Sequence, residues 1–179
     1  MEVAAVEVTV VVGNPKPSSR TREIAEAVAA FVIEHTGARP APTIDLCDFS
    51  ESMFRWPEAT LENLGNRLAA TDIAVVASPT YKAAYTGLLK AFLDRYGNNG
   101  LAGVTAIPVM TGAGLQHALA VETSLRPVLV ELGASVPTRG LYFEVSQMSQ
   151  MSKIVERWAT DNLATCGAIR GAARVGAGR

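Results

Sequence analysis

The feature that most constrains this chain is a run of β-branched residues, VTVVV at positions 8–12, that stops dead at Gly13. A continuous β-branched run of that length suits a strand buried on both faces. Such strands occur where helices cover both sides of a parallel sheet. The rest of the chain repeats the same sentence. Residues 22–34 carry Ile24, Val28, Phe31 and Val32 at helical spacing. Gly37, Pro40 and Pro42 end that helix, and a short strand is expected over 43–46. Residues 47–58 read as an irregular excursion that offers Phe54 and Trp56 to a surface or a partner. A helix over 61–70, a strand over 73–77 ended by Ser78-Pro79, and a helix over 86–96 follow. A strand over 104–110 then leads to a helix over 115–132, with Pro127 marking a kink or junction. A strand over 138–143 and a helix over 149–165 complete the pattern.

Five strand–helix units with short loops imply an α/β three-layer fold around a five-stranded parallel sheet. Residues 1–166 are expected to form one domain. The Gly/Ala-rich segment 167–179, with three arginines, reads as a flexible tail. With 49% apolar and 18% charged residues in 179, the chain can bury a substantial core. A net charge of −1 provides no basic footprint for nucleic acid. No apolar run approaches the ~20 residues of a membrane span, and no basic leader precedes the first strand, so a cytoplasmic location is expected. Two cysteines, Cys47 and Cys166, are too few for a disulfide scaffold, and no Cys/His pair has metal-ligand spacing.

In a sheet of this kind ligands sit outside the carboxyl ends of the strands, at the point where strand order reverses. That selects three loops, 13–21, 78–87 and 111–117. The first, GNPKPSSRT, leaves a core strand and enters a helix. Free N–H groups at a helix start, the hydroxyls of Ser19 and Thr21, and the cations Lys16 and Arg20 together suit a phosphate. Helix capping by Ser18 or Ser19 is the plainer alternative. The loop is neither a Walker A sequence nor G-x-G-x-x-G. The second, SPTYKAAYTG, combines small residues with Tyr81 and Tyr85. It suits a planar heterocycle, unless the two rings simply pack. The third, Thr111-Gly112-Ala113-Gly114, permits close backbone approach, or is an ordinary strand-to-helix turn.

These loops resemble those of the NAD(P)H-dependent FMN reductases, a flavodoxin-like family with strand order 2-1-3-4-5. The closest likeness is to the reductases that supply reduced flavin to sulfonate monooxygenases. The resemblance spans residues 8–143. GNPKPSSRT follows the family's G-S-x-R-x-x-S-x-x, with Asn14 for Ser and Lys16 for Arg. SPTYKAAYTGLLKAFLD follows P-x-Y-x-x-x-x-x-G-x-L-K-x-x-L/I-D. TGAGLQHALAVETSLRPVLVELGA resembles the third loop and its helix, including the LRPVL element at 125–129. The sulfonate branch carries an extra residue in this helix, often Tyr and associated with a π-bulge at a tetramer interface. Thr123 stands at that position here.

The resemblance implies FMN phosphate at Lys16, Ser19, Arg20 and Thr21, with Asn14 either donating or capping the turn. It implies the flavin ring and ribityl along Pro79, Thr80, Tyr81 and Lys82, above Thr111, Gly112, Ala113 and Gly114. Tyr85 and His117 are candidate flavin or nicotinamide contacts. Lys82 either meets the nicotinamide nucleotide's phosphate or is solvated. Backbone N–H groups of loops two and three are expected to face the flavin's pyrimidine edge. No side chain is required for acid–base chemistry, because hydride transfer needs two rings held face to face. NADPH or NADH as donor, a homodimer or homotetramer, and a partner monooxygenase are likewise implied. An apolar stripe, Leu88, Leu89, Phe92 and Leu93, serves either a subunit contact or packing on the sheet. The competing readings are a reductase of quinones, azo dyes or metal oxyanions that retains its FMN, and an electron carrier. Carriers of this fold are usually markedly acidic, which this chain is not.

Overall fold

The computed structural model describes residues 6–163. It contains β1 (Glu7–Val12), α1 (Arg20–Thr36), β2 (Arg39–Pro40), β3 (Ile44–Asp45) and α2 (Ala59–Ala69). These are followed by β4 (Ile73–Pro79), α3 (Gly87–Leu93), β5 (Thr105–Gly112), α4 (Arg126–Glu131), β6 (Leu141–Glu144) and α5 (Met151–Leu163). The expected domain end at 166 and the tail lie outside the described residues.

All pairings in the sheet are parallel, in the order β2-β1-β4-β5-β6, with β3 also on the outer side of β1. With β2 and β3 counted as one interrupted edge, this is the expected order 2-1-3-4-5. The alternation of side chains divides each strand between two cores. Val8, Val10 and Val12 face α1 and α5, with Ile73, Val75, Ala77, Ile107 and Val109. Val11, Ala74, Val76, Ala106 and Met110 face the opposite layer of α2, α3 and α4. Thr9 is fully buried, and its hydroxyl donates to Thr71 Oγ1 at 3.0 Å.

Several element boundaries differ from the sequence reading. The strand expected over 43–46 is present as β3, which pairs with Val11 and Val12. A further short strand, β2, precedes it at Arg39–Pro40, where the sequence reading has only the end of the helix, and pairs with Glu7 and Val8. Ser78-Pro79 does not end β4, which pairs on through Pro79↔Thr111. Proline lacks a donor, and the ladder resumes with Thr80 N–H donating to Thr111 O at 2.7 Å. Pro108 sits inside β5 for a related reason. The Ala106 N–H points to Ser135, so a donor at 108 would point the same way, and β6 joins only at Val109↔Leu141.

The helix expected over 115–132 is three pieces: a 3₁₀ turn (Leu115–His117), a π turn (Val121–Leu125) and α4. Pro127 lies in the first turn of α4, where a missing N–H is least costly. Thr123 sits within the π turn, and its hydroxyl donates to Leu119 O at 3.0 Å. The strand expected over 138–143 begins only at Leu141. The last helix starts as a 3₁₀ segment (Val145–Gln150) before α5. The stripe on α3 is mainly core: Leu89, Phe92 and Leu93 are buried, and Leu88 is half-buried and packed against them. The excursion at 47–58 does leave Phe54 and Trp56 exposed, at 85% and 68%. The Trp56 ring lies against the Arg95 guanidinium at 4.1 Å.

Candidate functional site

The carboxyl ends of β1, β4 and β5 open into one cleft of about 420 Å³. Loop one is shaped from within. Asn14 is buried; its Oδ1 accepts from Lys16 N–H at 3.0 Å, an Asx turn, while its Nδ2 donates to Thr21 Oγ1 at 3.0 Å. The Asn14 side chain therefore serves the turn. Ser19 caps α1, its Oγ accepting from Arg22 N–H at 3.2 Å. The N–H groups of Arg20 and Thr21 have no acceptor among the described residues. Lys16 and Arg20 are exposed and form no ion pair there, whereas Arg22, two residues on, is held by Glu26 and Asp45. Two uncommitted cations and two open N–H groups at the start of a 17-residue helix fit an anionic group.

Loop two is a tight two-residue turn. Tyr81 and Ala84 exchange N–H···O bonds of 2.8 and 3.1 Å, with Lys82 and Ala83 at φ 51 and 66. This is the backbone of a type I′ turn, normally built from Asn and Gly. Ser18 in loop one has φ 48, so three of the four non-glycine residues at positive φ among the described residues flank the cleft. Strain of this kind costs about 1–2 kcal/mol per residue and collects at functional sites. The turn consumes the N–H of Tyr81, and the ladder consumes that of Thr80. Within the turn the N–H groups of Lys82 and Ala83 remain open, and loop three leaves those of Ala113 and Gly114 open.

Loop three is governed by a residue outside the three loops. The Tyr142 hydroxyl donates to Gly114 O at 2.7 Å, and its ring passes over Gly112. A Cβ on Gly112 would lie 1.9 Å from that oxygen, so the glycine answers to Tyr142. Gly13 is needed for a different close approach: its Cβ would meet Leu89 Cβ at 2.5 Å, where α3 packs on the end of β1.

The cleft gathers Asn14, Lys16, Ser19, Arg20, Thr21, Pro79, Thr80, Tyr81, Thr111, Gly112 and Ala113. It adds Pro17 and Ser18 of the first loop, to which the sequence reading assigns no ligand contact, and Val145, which lies outside the three selected loops. Val145 follows β6, a strand end that was not among the three selected. Lys82, Tyr85, Gly114 and His117 do not line it. Tyr85 packs against the α2/α3 core, and His117 closes the 3₁₀ turn after loop three. His35 lies in the last turn of α1. Cys47 is no nucleophile: burial first, then Asp45, pushes its thiol up to about 12. No group of three metal-ligating side chains occurs among the described residues, and no helix there is long and apolar enough to cross a membrane.

A parallel sheet in this order, with helices on both faces and a cationic cleft at its carboxyl edge, defines a flavodoxin-like α/β protein. Within that class, the model of the NADPH-dependent FMN reductase family matches residues 6–147, and the chain belongs to that family. It is 37% identical over 94 residues to an FMN reductase (NADPH) of Escherichia coli, a match covering 52% of this chain and 49% of that protein. The match to an FMN reductase (NADPH) of Pseudomonas putida likewise spans about half of that relative, 48%. The NADH-dependent FMN reductase SfnF of Pseudomonas putida is 29% identical over 155 residues, 84% of this chain and 83% of that one. Among solved structures, an apo NADH:FMN oxidoreductase superposes with a TM-score of 0.74 at 28% identity, covering 88% of this chain and 90% of that one.

Proposed function

We propose that this chain is an FMN reductase that transfers a hydride from NADPH or NADH to FMN and releases the reduced flavin to a partner monooxygenase. The observation that carries the reading is the pairing of Lys16 and Arg20 with the open N–H groups of α1, across one cleft from the exposed Tyr81. FMN, when bound, supplies the two-electron acceptor for the nicotinamide hydride. The protein's part is to bind and orient. Lys16, Arg20, Ser19 and Thr21 would hold the phosphate, with Asn14 shaping their loop. Pro79, Thr80 and Tyr81 would line the flavin beside Thr111, Gly112 and Ala113, with Lys82 and Gly114 contributing backbone N–H groups. Tyr85 and His117 stand further out and are left to the nicotinamide side.

The flavin-as-substrate reading is supported by the likeness to SfnF. The chain would work in the cytoplasm, where NAD(P)H is supplied, as a homodimer or homotetramer. The test is NAD(P)H oxidation by desalted protein, with and without added FMN. A colourless protein that turns over only with FMN supports the proposal. A protein that stays yellow and requires a quinone or dye supports a reductase that retains its flavin. Absence of turnover with every acceptor would leave an electron carrier.

A further inference from the structure

Nothing in loop three explains its own shape. Thr111 and Gly112 are held in the β5–β6 ladder, but Ala113 and Gly114 lie beyond it, where a glycine can adopt many backbones. One contact from β6 removes that freedom. The Tyr142 phenol lies across the space a Gly112 side chain would fill and takes the Gly114 carbonyl at 2.7 Å. The planar trans peptide then turns the Leu115 N–H to the side opposite Tyr142.

The phenol is itself held firmly. Tyr142 pairs with Met110 in the β5–β6 ladder. The segment leading into β6 is clamped to the π turn: Glu122 accepts from Gly140 N–H at 2.6 Å, and Arg126 Nη1 donates to Val136 O at 2.6 Å. Arg126 also bonds Glu122 and Thr138 O. Burial raises the phenol's pKa, so the hydroxyl remains a neutral donor at physiological pH.

We propose that Tyr142 is a positioning residue for the flavin: it presets loop three from beneath, so that the loop's open N–H groups are in place before ligand arrives. This rests on the FMN reading, and it predicts a cost in affinity more than in turnover. Preorganisation lowers the ordering penalty of binding and leaves the bound geometry the same.

The test is Tyr142→Phe, which keeps the ring and its packing and removes only the donor. FMN affinity, read by quenching of flavin fluorescence, should weaken about 5–10-fold. The KM for FMN should rise in step, and kcat should stay within about twofold. In the ligand-free protein, NMR backbone order parameters at Ala113, Gly114 and Leu115 should fall from about 0.85 to below about 0.6. Gly112→Ala, which displaces the phenol sterically, should reproduce both effects. Unchanged order parameters at these residues in Tyr142→Phe would overturn the positioning role. If the wild type binds no FMN, the FMN reading itself fails, and the order-parameter measurement still decides whether Tyr142 shapes the loop. Equal loss of kcat and affinity, with a collapsed melting transition in both variants, would mark Tyr142 as merely structural and also overturn the proposal.

Discussion

Thr21 and Thr111 are 90 residues apart in sequence, and their hydroxyl oxygens lie 2.8 Å from each other. Asn14 Nδ2 donates to the same Thr21 oxygen at 3.0 Å. All three side chains are buried. This short chain of hydrogen bonds ties the turn after β1 to the end of β5, so the loop bearing Lys16 and Arg20 and the glycine loop form one unit.

Thr21→Val tests that tie. The substitution is nearly isosteric but strands the Asn14 amide and the Thr111 hydroxyl in a dry place. Leaving buried polar groups unpaired costs about 1–3 kcal/mol. Chemical denaturation should show that loss, with a melting temperature lower by about 2–4 °C per kcal/mol for a chain of this size. An unchanged midpoint would mean that water replaces the bond.

The turn at Lys82-Ala83 carries strain that glycine would relieve. Ala83→Gly removes a left-handed Cβ penalty of about 1–2 kcal/mol and adds unfolded-state entropy worth about 0.5–1 kcal/mol. A net gain of up to about 1 kcal/mol in unfolding free energy is expected. Urea titration of the two proteins checks this, and a loss of stability would contradict the strained-turn account.

Glu122 has its pKa lowered below the usual 4.5, first by its hydrogen bond to Arg126 and then by the Gly140 N–H. A depressed folded-state pKa contributes stability that is fully present above the unfolded value. The contribution fades as pH falls through the folded value. Glu122→Gln should therefore be less stable than the wild type near neutrality, with the gap narrowing below about pH 4.5. Melting curves taken as a function of pH test the sign; a gap that widens in acid would refute it.

What the sequence made legible was local. VTVVV and IAVVA announce buried strands because both faces are covered, and the loops that follow them fall at the sheet's carboxyl edge for topological reasons. Lys16, Arg20 and Thr21 fall in the cleft because the loop after β1 ends at the carboxyl edge, a placement the strand pattern already implied. The features that escaped are set by distant partners. Pro79 remains in β4 because Thr111 pairs with it, and Pro108 remains in β5 because β6 has not yet joined. The additional strand at Arg39–Pro40 escaped because only its pairing with Glu7 and Val8 of β1 makes it one. Spacing placed Thr123 at the extra position, but the π turn itself is supported by the Glu122–Arg126–Gly140 network, whose contacts reach 18 residues along the chain. Tyr142 falls within the strand expected over 138–143, and only the fold shows it crossing Gly112.

The most direct measurement is an equilibrium titration of FMN and of riboflavin, followed by flavin fluorescence, against the wild type and a Lys16→Ala/Arg20→Ala double variant. The two differ by the phosphate alone, and charge-assisted contacts are worth about 1.5–3 kcal/mol each. The wild type should prefer FMN over riboflavin by at least about tenfold, and the double variant should lose that preference while binding riboflavin as before. Equal affinity of the wild type for both flavins, or an undiminished FMN preference in the double variant, would contradict the assignment of this cleft.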